Sequence, residues 1–78
     1  MKVTVTINRR PEIADPEGTT VRRALHELGF TEVQEVRMDR VIHLDVAGGD
    51  DVRSRVEAMC GQLLANPVLE DFVVEIDQ

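Results

Sequence analysis

The sequence has no tryptophan and no tyrosine, and its aromatic side chains are Phe30 and Phe72. So few aromatics leave no platform on which single-stranded bases could stack. Cys60 is the sole cysteine, so no internal disulfide can form and the usage suits a reducing compartment. No apolar run approaches the roughly 18 residues of a membrane span, and no basic-then-apolar leader stands at Met1. A cytoplasmic location is the expectation. Positive charge is also scarce. Nine Lys and Arg stand against fifteen Asp and Glu, for a net charge of −6. Such a chain is repelled by nucleic acid and by anionic lipid. Residues 66–78 carry Glu70, Asp71, Glu75 and Asp77 with no base. That end reads as a solubilising feature, or as an acidic edge facing a basic partner.

What is present fits a single globular domain over residues 1–78. Hydrophobic residues at 42% and charged residues at 31% lie outside the disordered range. No repeat, linker or low-complexity stretch divides the chain. Val3, Val5 and Ile7 alternate with Lys2, Thr4, Thr6 and Asn8, the period of a half-buried strand that Pro11 ends. Asp15 can cap a helix, Pro16 suits its first position and Glu17 its first turn. Gly18 and Thr19-Thr20 are weak helix formers, which leaves the start free to slip to residue 19 or 20. Val21, Ala24, Leu25 and Leu28 form one apolar stripe, and Gly29 is the stop.

Val33 to Asp39 reads as a second strand and Val41 to Val46 as a third, with Ile42, Leu44 and Val46 inward. Only Asp39-Arg40 separates them, which predicts a tight hairpin. Gly48-Gly49-Asp50-Asp51 reads as a turn and N-cap. The second helix places Val52, Val56, Met59 and Leu63 on one face, widened by Cys60 and Leu64, and Asn66-Pro67 ends it. Phe72, Val74 and Ile76 alternate with polar or exposed neighbours in a last strand. The resulting order is β-α-β-β-α-β, an α+β ferredoxin-like fold. Its four-stranded antiparallel sheet would carry two helices on one face. The other face would carry Lys2, Thr4, Thr6, His43, Asp45 and Glu75, with Val41 and Val73 among them as an association surface.

No constellation in the sequence carries catalysis. Cys60 falls on an apolar helix face without a base beside it and reads as a core thiol. His26 falls off the apolar stripe, toward solvent. His43 and Asp45 share the open face and read as a surface pair rather than half a metal site. No Cys-x-x-Cys or His-x-x-x-His spacing occurs, and Gly48-Gly49 lacks the Lys-Ser/Thr of a phosphate loop. Arg9-Arg10, Arg22-Arg23, Arg37 and Arg40 are solvated charge or, through their planar donors, contacts for partner carboxylates. Arg37, Arg40, Val41, His43 and Val73 are therefore the candidate partner-contact residues.

Asp15-Pro16-Glu17-Gly18 before Val21, Ala24-Leu25-His26 and the run Phe30 to Arg37 carry a resemblance. Met59-Cys60, Leu63-Leu64-Ala65-Asn66-Pro67-Val68 and Leu69-Glu70-Asp71-Phe72 extend it. Together they make the chain resemble PurS, the small-subunit family of phosphoribosylformylglycinamidine synthase, over nearly its whole length. The resemblance implies a place in de novo purine synthesis, where the synthase consumes ATP and glutamine. A glutaminase subunit releases ammonia and a synthetase subunit activates the amide. The small subunit is implied to lack catalysis of its own, to form a dimer or tetramer, and to join the other two. ATP and Mg are thus implied for the complex, with no cofactor in this chain and neither nucleic acid nor membrane as partner. Relatives often carry Gly-Lys where this chain has Asp39-Arg40, which bears on the turn type there. The sequence ends two residues after Ile76, so no longer tail contact is expected.

Two other readings share the topology. One is a stand-alone regulatory domain that binds a small ligand between dimerised sheets. The other is a small acylphosphatase-like hydrolase, for which Asn8-Arg9-Arg10-Pro11 is a poor phosphate loop.

Overall fold

A computed structural model describes residues 1–77. Gln78, the last residue of the expected 1–78 domain, lies outside the described residues. Strand β1 (Lys2–Arg9) leads to helix α1 (Pro16–Glu27), strand β2 (Arg40–Asp45), helix α2 (Val52–Met59) and strand β3 (Glu70–Asp77). α2 runs on into one π-helical turn, Cys60–Leu64. The architecture is α+β, with β1 between β2 and β3 and antiparallel to both.

The period-2 pattern of β1 sets the core. Val3, Val5 and Ile7 are at most 1% exposed. Val5 stands opposite Ile42 on one side and Val74 on the other. Val52, Val56, Cys60 and Ala65 cover them, with Phe72 and Ile76 packed at the margin. Each such aliphatic side chain contributes about 1.5–3 kcal/mol by leaving water. The stripe of α2 continues through Cys60 to the half-buried Leu64, whereas Leu63 is 82% exposed. The wider turn explains why the sequence assigned Leu63 inward: the Ala65 N–H reaches the Cys60 carbonyl, five residues back, so a 3.6-residue period overruns.

Three expectations are corrected. Residues 33–39 have no regular secondary structure and join no ladder, so among the described residues the sheet has three strands rather than four. The expected hairpin is absent as well, because Arg40 is already the first residue of β2. Finally, α1 does not lie on the sheet beside α2. The molecule spans 51 × 26 × 14 Å with a radius of gyration of 16.0 Å, where a compact chain of this length has about 11–12 Å. α1 and the segment that returns from it form an arm beyond the Arg9–Arg40 end of the sheet.

Candidate functional site

The arm is held together by contacts between α1 and the backbone of residues 33–38. Asp15 is the N-cap, and its carboxylate accepts the Gly18 N–H at 3.0 Å and the Met38 N–H at 2.8 Å. Arg22 Nε donates to the Gln34 carbonyl at 2.9 Å, and His26 Nε2 to the Val33 carbonyl at 2.7 Å. His26 is therefore half-buried and bonded, not solvated as its place on the wheel suggested. Gly18, Arg22 and His26 are spaced four apart, so one helix face carries the return segment. The helix closes with the Gly29 N–H on the His26 carbonyl and the Phe30 N–H on that of Leu25, with Gly29 at φ 101°. Those two bonds form a Schellman stop, which needs the left-handed residue glycine supplies. The Met38 N–H, then that of Gly18, holds the Asp15 carboxyl below its ordinary range, assisted by Arg9 and Arg37 and opposed by burial.

The arm is tied to the sheet through arginines. Arg37 Nη2 donates to the carbonyls of Arg9 at 2.9 Å and Arg10 at 3.2 Å. Arg40 Nη2 lies 3.0 Å from Glu70 Oε1 and 3.3 Å from the Leu64 carbonyl. Glu70 also accepts the Asn66 N–H at 2.8 Å, which is the first cause of its lowered pKa, with Arg40 adding to it. Arg10 pairs with Asp71 at 3.2 Å. Part of the C-terminal acidity is thus neutralised within the chain. Of the two candidate arginines, Arg37 is a strap across the base of the arm and Arg40 is the more open, its side chain 57% exposed.

The open sheet face carries the other candidates. Thr6 stands between Val41 and Val73 on the neighbouring strands, and Thr4 between His43 and Glu75. Val41 and Val73 are 54% and 50% exposed. His43 does not pair with Asp45. Its Nδ1 is 3.5 Å from Thr4 Oγ1, while Asp45 binds Lys2 at 2.8 Å and the N-terminal ammonium at 3.7 Å. Lys2, and after it the N-terminus, lowers the Asp45 pKa. The structure brings Val41, His43 and Val73 onto one face and leaves Arg37 and Arg40 at its end.

A cleft of ≈ 370 Å³ between α1 and its return is lined by Asp15, Gly18, Arg22, Gln34 and Arg37, among others. Both of those guanidinium groups are bonded to backbone carbonyls. Cys60 is fully buried, and burial, followed by Glu57, raises its thiol pKa, the opposite of an activated nucleophile. Asp51 holds the N-cap position of α2 at φ 61° but makes no side-chain cap bond. Among the described residues no group of three or more His, Cys, Asp or Glu could hold a metal ion. Nor is any helix among them long and apolar enough to cross a membrane.

What the described residues assemble is a set of arginines bonded within the chain, a buried thiol and an open sheet face that carries Val41, His43 and Val73. The family model described as PurS, phosphoribosylformylglycinamidine (FGAM) synthase, matches residues 2–78. The chain belongs to the PurS family. It is 39% identical to the phosphoribosylformylglycinamidine synthase subunit PurS of Methanocaldococcus jannaschii, over 99% of this chain and 95% of that one. It superposes on the Bacillus subtilis PurS crystal structure with a TM-score of 0.93 at 37% identity, covering 99% and 98% of the two chains. The structure of PurLQS from Thermotoga maritima contains a chain that matches with a TM-score of 0.79 at 30% identity, over 95% and 93%. Sequence reasoning saw the D-P-x-G segment of this PurS-family chain as a helix start. It missed that Asp15 and Gly18, with Arg22 and His26 further along α1, are points at which the arm meets its own return.

Proposed function

We propose that this chain is the small, non-catalytic subunit of phosphoribosylformylglycinamidine synthase in purine biosynthesis. Its role is to join the glutaminase and synthetase subunits so that ammonia released from glutamine reaches the activated amide before it escapes. The observation that carries this reading is the full-length match to PurS, joined to the likeness to PurLQS. The contribution is one of proximity: an intermediate is delivered rather than lost to solvent. ATP and Mg belong to the complex, and no step is assigned to them in this chain. The reading places the chain in the cytoplasm, as one domain over 1–78. It also makes the chain a homo-oligomer that uses the open face around Val41 and Val73, with the ferredoxin-like helix layer as the parent form of its fold.

Two assays on the reconstituted synthase test the bridging role. Glutamine-dependent synthesis collapses when this chain is omitted, whereas synthesis from high added ammonia persists with the synthetase alone. A glutamine-dependent rate unchanged by omission overturns the reading. Hydrolysis of glutamine or ATP by the isolated chain overturns its non-catalytic part. Thermal stabilisation by a metabolite without partner enzymes would instead favour the small-ligand reading.

A further inference from the structure

Among the described residues, none between Ile7 and Ile42 belongs to the hydrophobic core or to its margin. The arm has an order of its own, made of hydrogen bonds. The Asp15 carboxylate, Arg22 and His26 fasten α1 to residues 33–38, and Gly18 admits the Val36 carbonyl against the helix. The sheet side of the junction is fastened separately. The Arg10 N–H donates to the Leu69 carbonyl at 2.9 Å, and its side chain reaches Asp71 and the Pro67 carbonyl. Arg40 is held by Glu70 and the Leu64 carbonyl.

Two lengths of backbone cross between these bodies, residues 11–14 and Asp39. Asp15 follows the first and Met38 precedes the second. The 2.8 Å bond from the Met38 N–H to the Asp15 carboxylate clamps the two crossings side by side at the arm. That clamp sets the arm to swing as one piece rather than to come apart. A gap of ≈ 110 Å³ lies at the junction, with Asp15, Glu17 and Asp39 toward the arm and Arg9, Arg40 and Glu70 toward the sheet. Charged walls do not make an apolar joint, so a change of angle exposes little hydrophobic area. Arginines span the junction instead. Arg37 Nη2, on the arm, donates to the carbonyls of Arg9 at 2.9 Å and Arg10 at 3.2 Å. Arg9 Nη1, on the sheet, donates to the Ala14 carbonyl at 3.1 Å. The Arg10 carbonyl also accepts the Ile13 N–H, so Arg37 is seated on the turn by which the chain leaves the sheet.

We infer that the arm is a rigid lever on a two-stranded hinge, residues 11–14 and Asp39, and that Arg37 is the strap that holds its angle. A few loop residues of this kind absorb the dihedral changes of a hinge. Arg37 is a positioning residue: it orients whatever docks on the arm relative to whatever docks on the sheet. The inference rests on bonds within one chain and stands apart from the bridging reading.

Backbone N–H residual dipolar couplings test it, measured on the full chain in a dilute aligning medium. Residues 16–38 report one alignment tensor, and the sheet with α2 reports another. In the unmodified chain the two should coincide, because the strap is closed. In Arg37→Ala each body should still fit a single tensor, while the order of the arm falls by at least a third relative to the sheet. Equal order in the variant overturns the inference, since the angle is then held without the strap. Couplings over residues 16–38 that fit no single tensor also overturn it, because the arm is then not rigid. Unequal order already in the unmodified chain removes Arg37 as the strap. If Arg37→Ala does not fold, Arg37→Lys is read in its place, since a single ammonium does not reproduce the planar donors of a guanidinium, and the same outcomes decide.

Discussion

Gly18 lies directly beneath the carbonyl oxygen of Val36, so close that a Cβ on residue 18 would overlap that oxygen. The obstacle is backbone, which cannot rotate away as the end of a side chain can. Gly18→Ala should therefore push the return segment off α1. The cost expected is that of overpacking, about 1–3 kcal/mol. Thermal unfolding checks it. An unchanged or raised melting temperature would show that the arm is looser than its contacts imply, since alanine is otherwise the better helix former.

Asp15 pins the same junction through charge. Its two oxygens accept two N–H groups, from Gly18 and Met38. Its pKa is lowered on folding by those bonds, that of Met38 first. The sign follows by linkage: the contribution is fully present above the ordinary carboxylate value near pH 4 and is lost as pH falls through the lowered folded value. Asn at this position has one acceptor oxygen for two donors. Asp15→Asn should lower the melting temperature at pH 7, and the gap to the unmodified protein should narrow below pH 4. A gap that does not change with pH means that the carboxylate charge is irrelevant.

These two residues show where the sequence was legible and where it was not. Period-2 alternation placed Val3, Val5, Ile7, Phe72, Val74 and Ile76 inward, and the structure agrees. The segment Val33 to Asp39 read as a strand, because a sequence pattern records which residues could share a face but not what they pair with. Here the partner is a helix face carrying Arg22 and His26 rather than another strand. Gly18 read as a weak helix former because its cause, the Val36 carbonyl, lies eighteen residues away. Arg37 read as a surface charge because its acceptors, Arg9 and Arg10, are still further off. The open face was legible residue by residue, since alternation within 41–46 and within the last strand set the side of Val41, His43 and Val73 opposite to that of Ile42, Leu44, Phe72 and Val74.

Cys60 is fully buried where α2 passes into the π turn, packed with Val56 and Ala65. Burial, more than Glu57, raises its thiol pKa. The native protein should be inert to a thiol reagent at pH 8 and react on unfolding. Cys60→Ala should cost about 1 kcal/mol or somewhat more, through lost packing, with complex activity kept once the chain is folded. Rapid labelling in the native state would contradict the burial. Loss of glutamine-dependent activity in a folded Cys60→Ala protein would give the thiol a role beyond packing.

Val73 is half-exposed within one chain and lies across Thr6 from Val41. Val73→Asp should change the stability of an isolated chain little, because the carboxylate stays in water. In an oligomer that uses the open face it would be buried without a partner. Association should then weaken at least tenfold, about 1.4 kcal/mol. Light scattering across a dilution series reads this directly. An unchanged dissociation midpoint would remove the open face from the interface.

Arg37 and Arg40 both stand at the base of the arm but should respond differently. Arg37 satisfies two backbone carbonyls, and hydrogen bonds from a charged donor each contribute about 1.5–3 kcal/mol. Arg37→Ala should accordingly destabilise the fold by about 2 kcal/mol or more, with any loss of complex formation following from the loosened arm. Arg40 meets Glu70 from a side chain that is 57% exposed, while the Glu70 side chain is 11% exposed and keeps the Asn66 N–H as a second partner, so losing the pair should cost about 1 kcal/mol or somewhat more. Arg40→Glu should leave the chain folded while placing a second carboxylate beside Glu70. If a partner carboxylate meets this end of the sheet, the reversal weakens assembly with the other synthase subunits, and more so at low salt. Melting temperature and pull-down yield, measured on both variants, separate the two roles. Equal loss of assembly at equal stability would mean that Arg37 contacts the partner too. Assembly unaffected by Arg40→Glu would move the contact elsewhere on the chain.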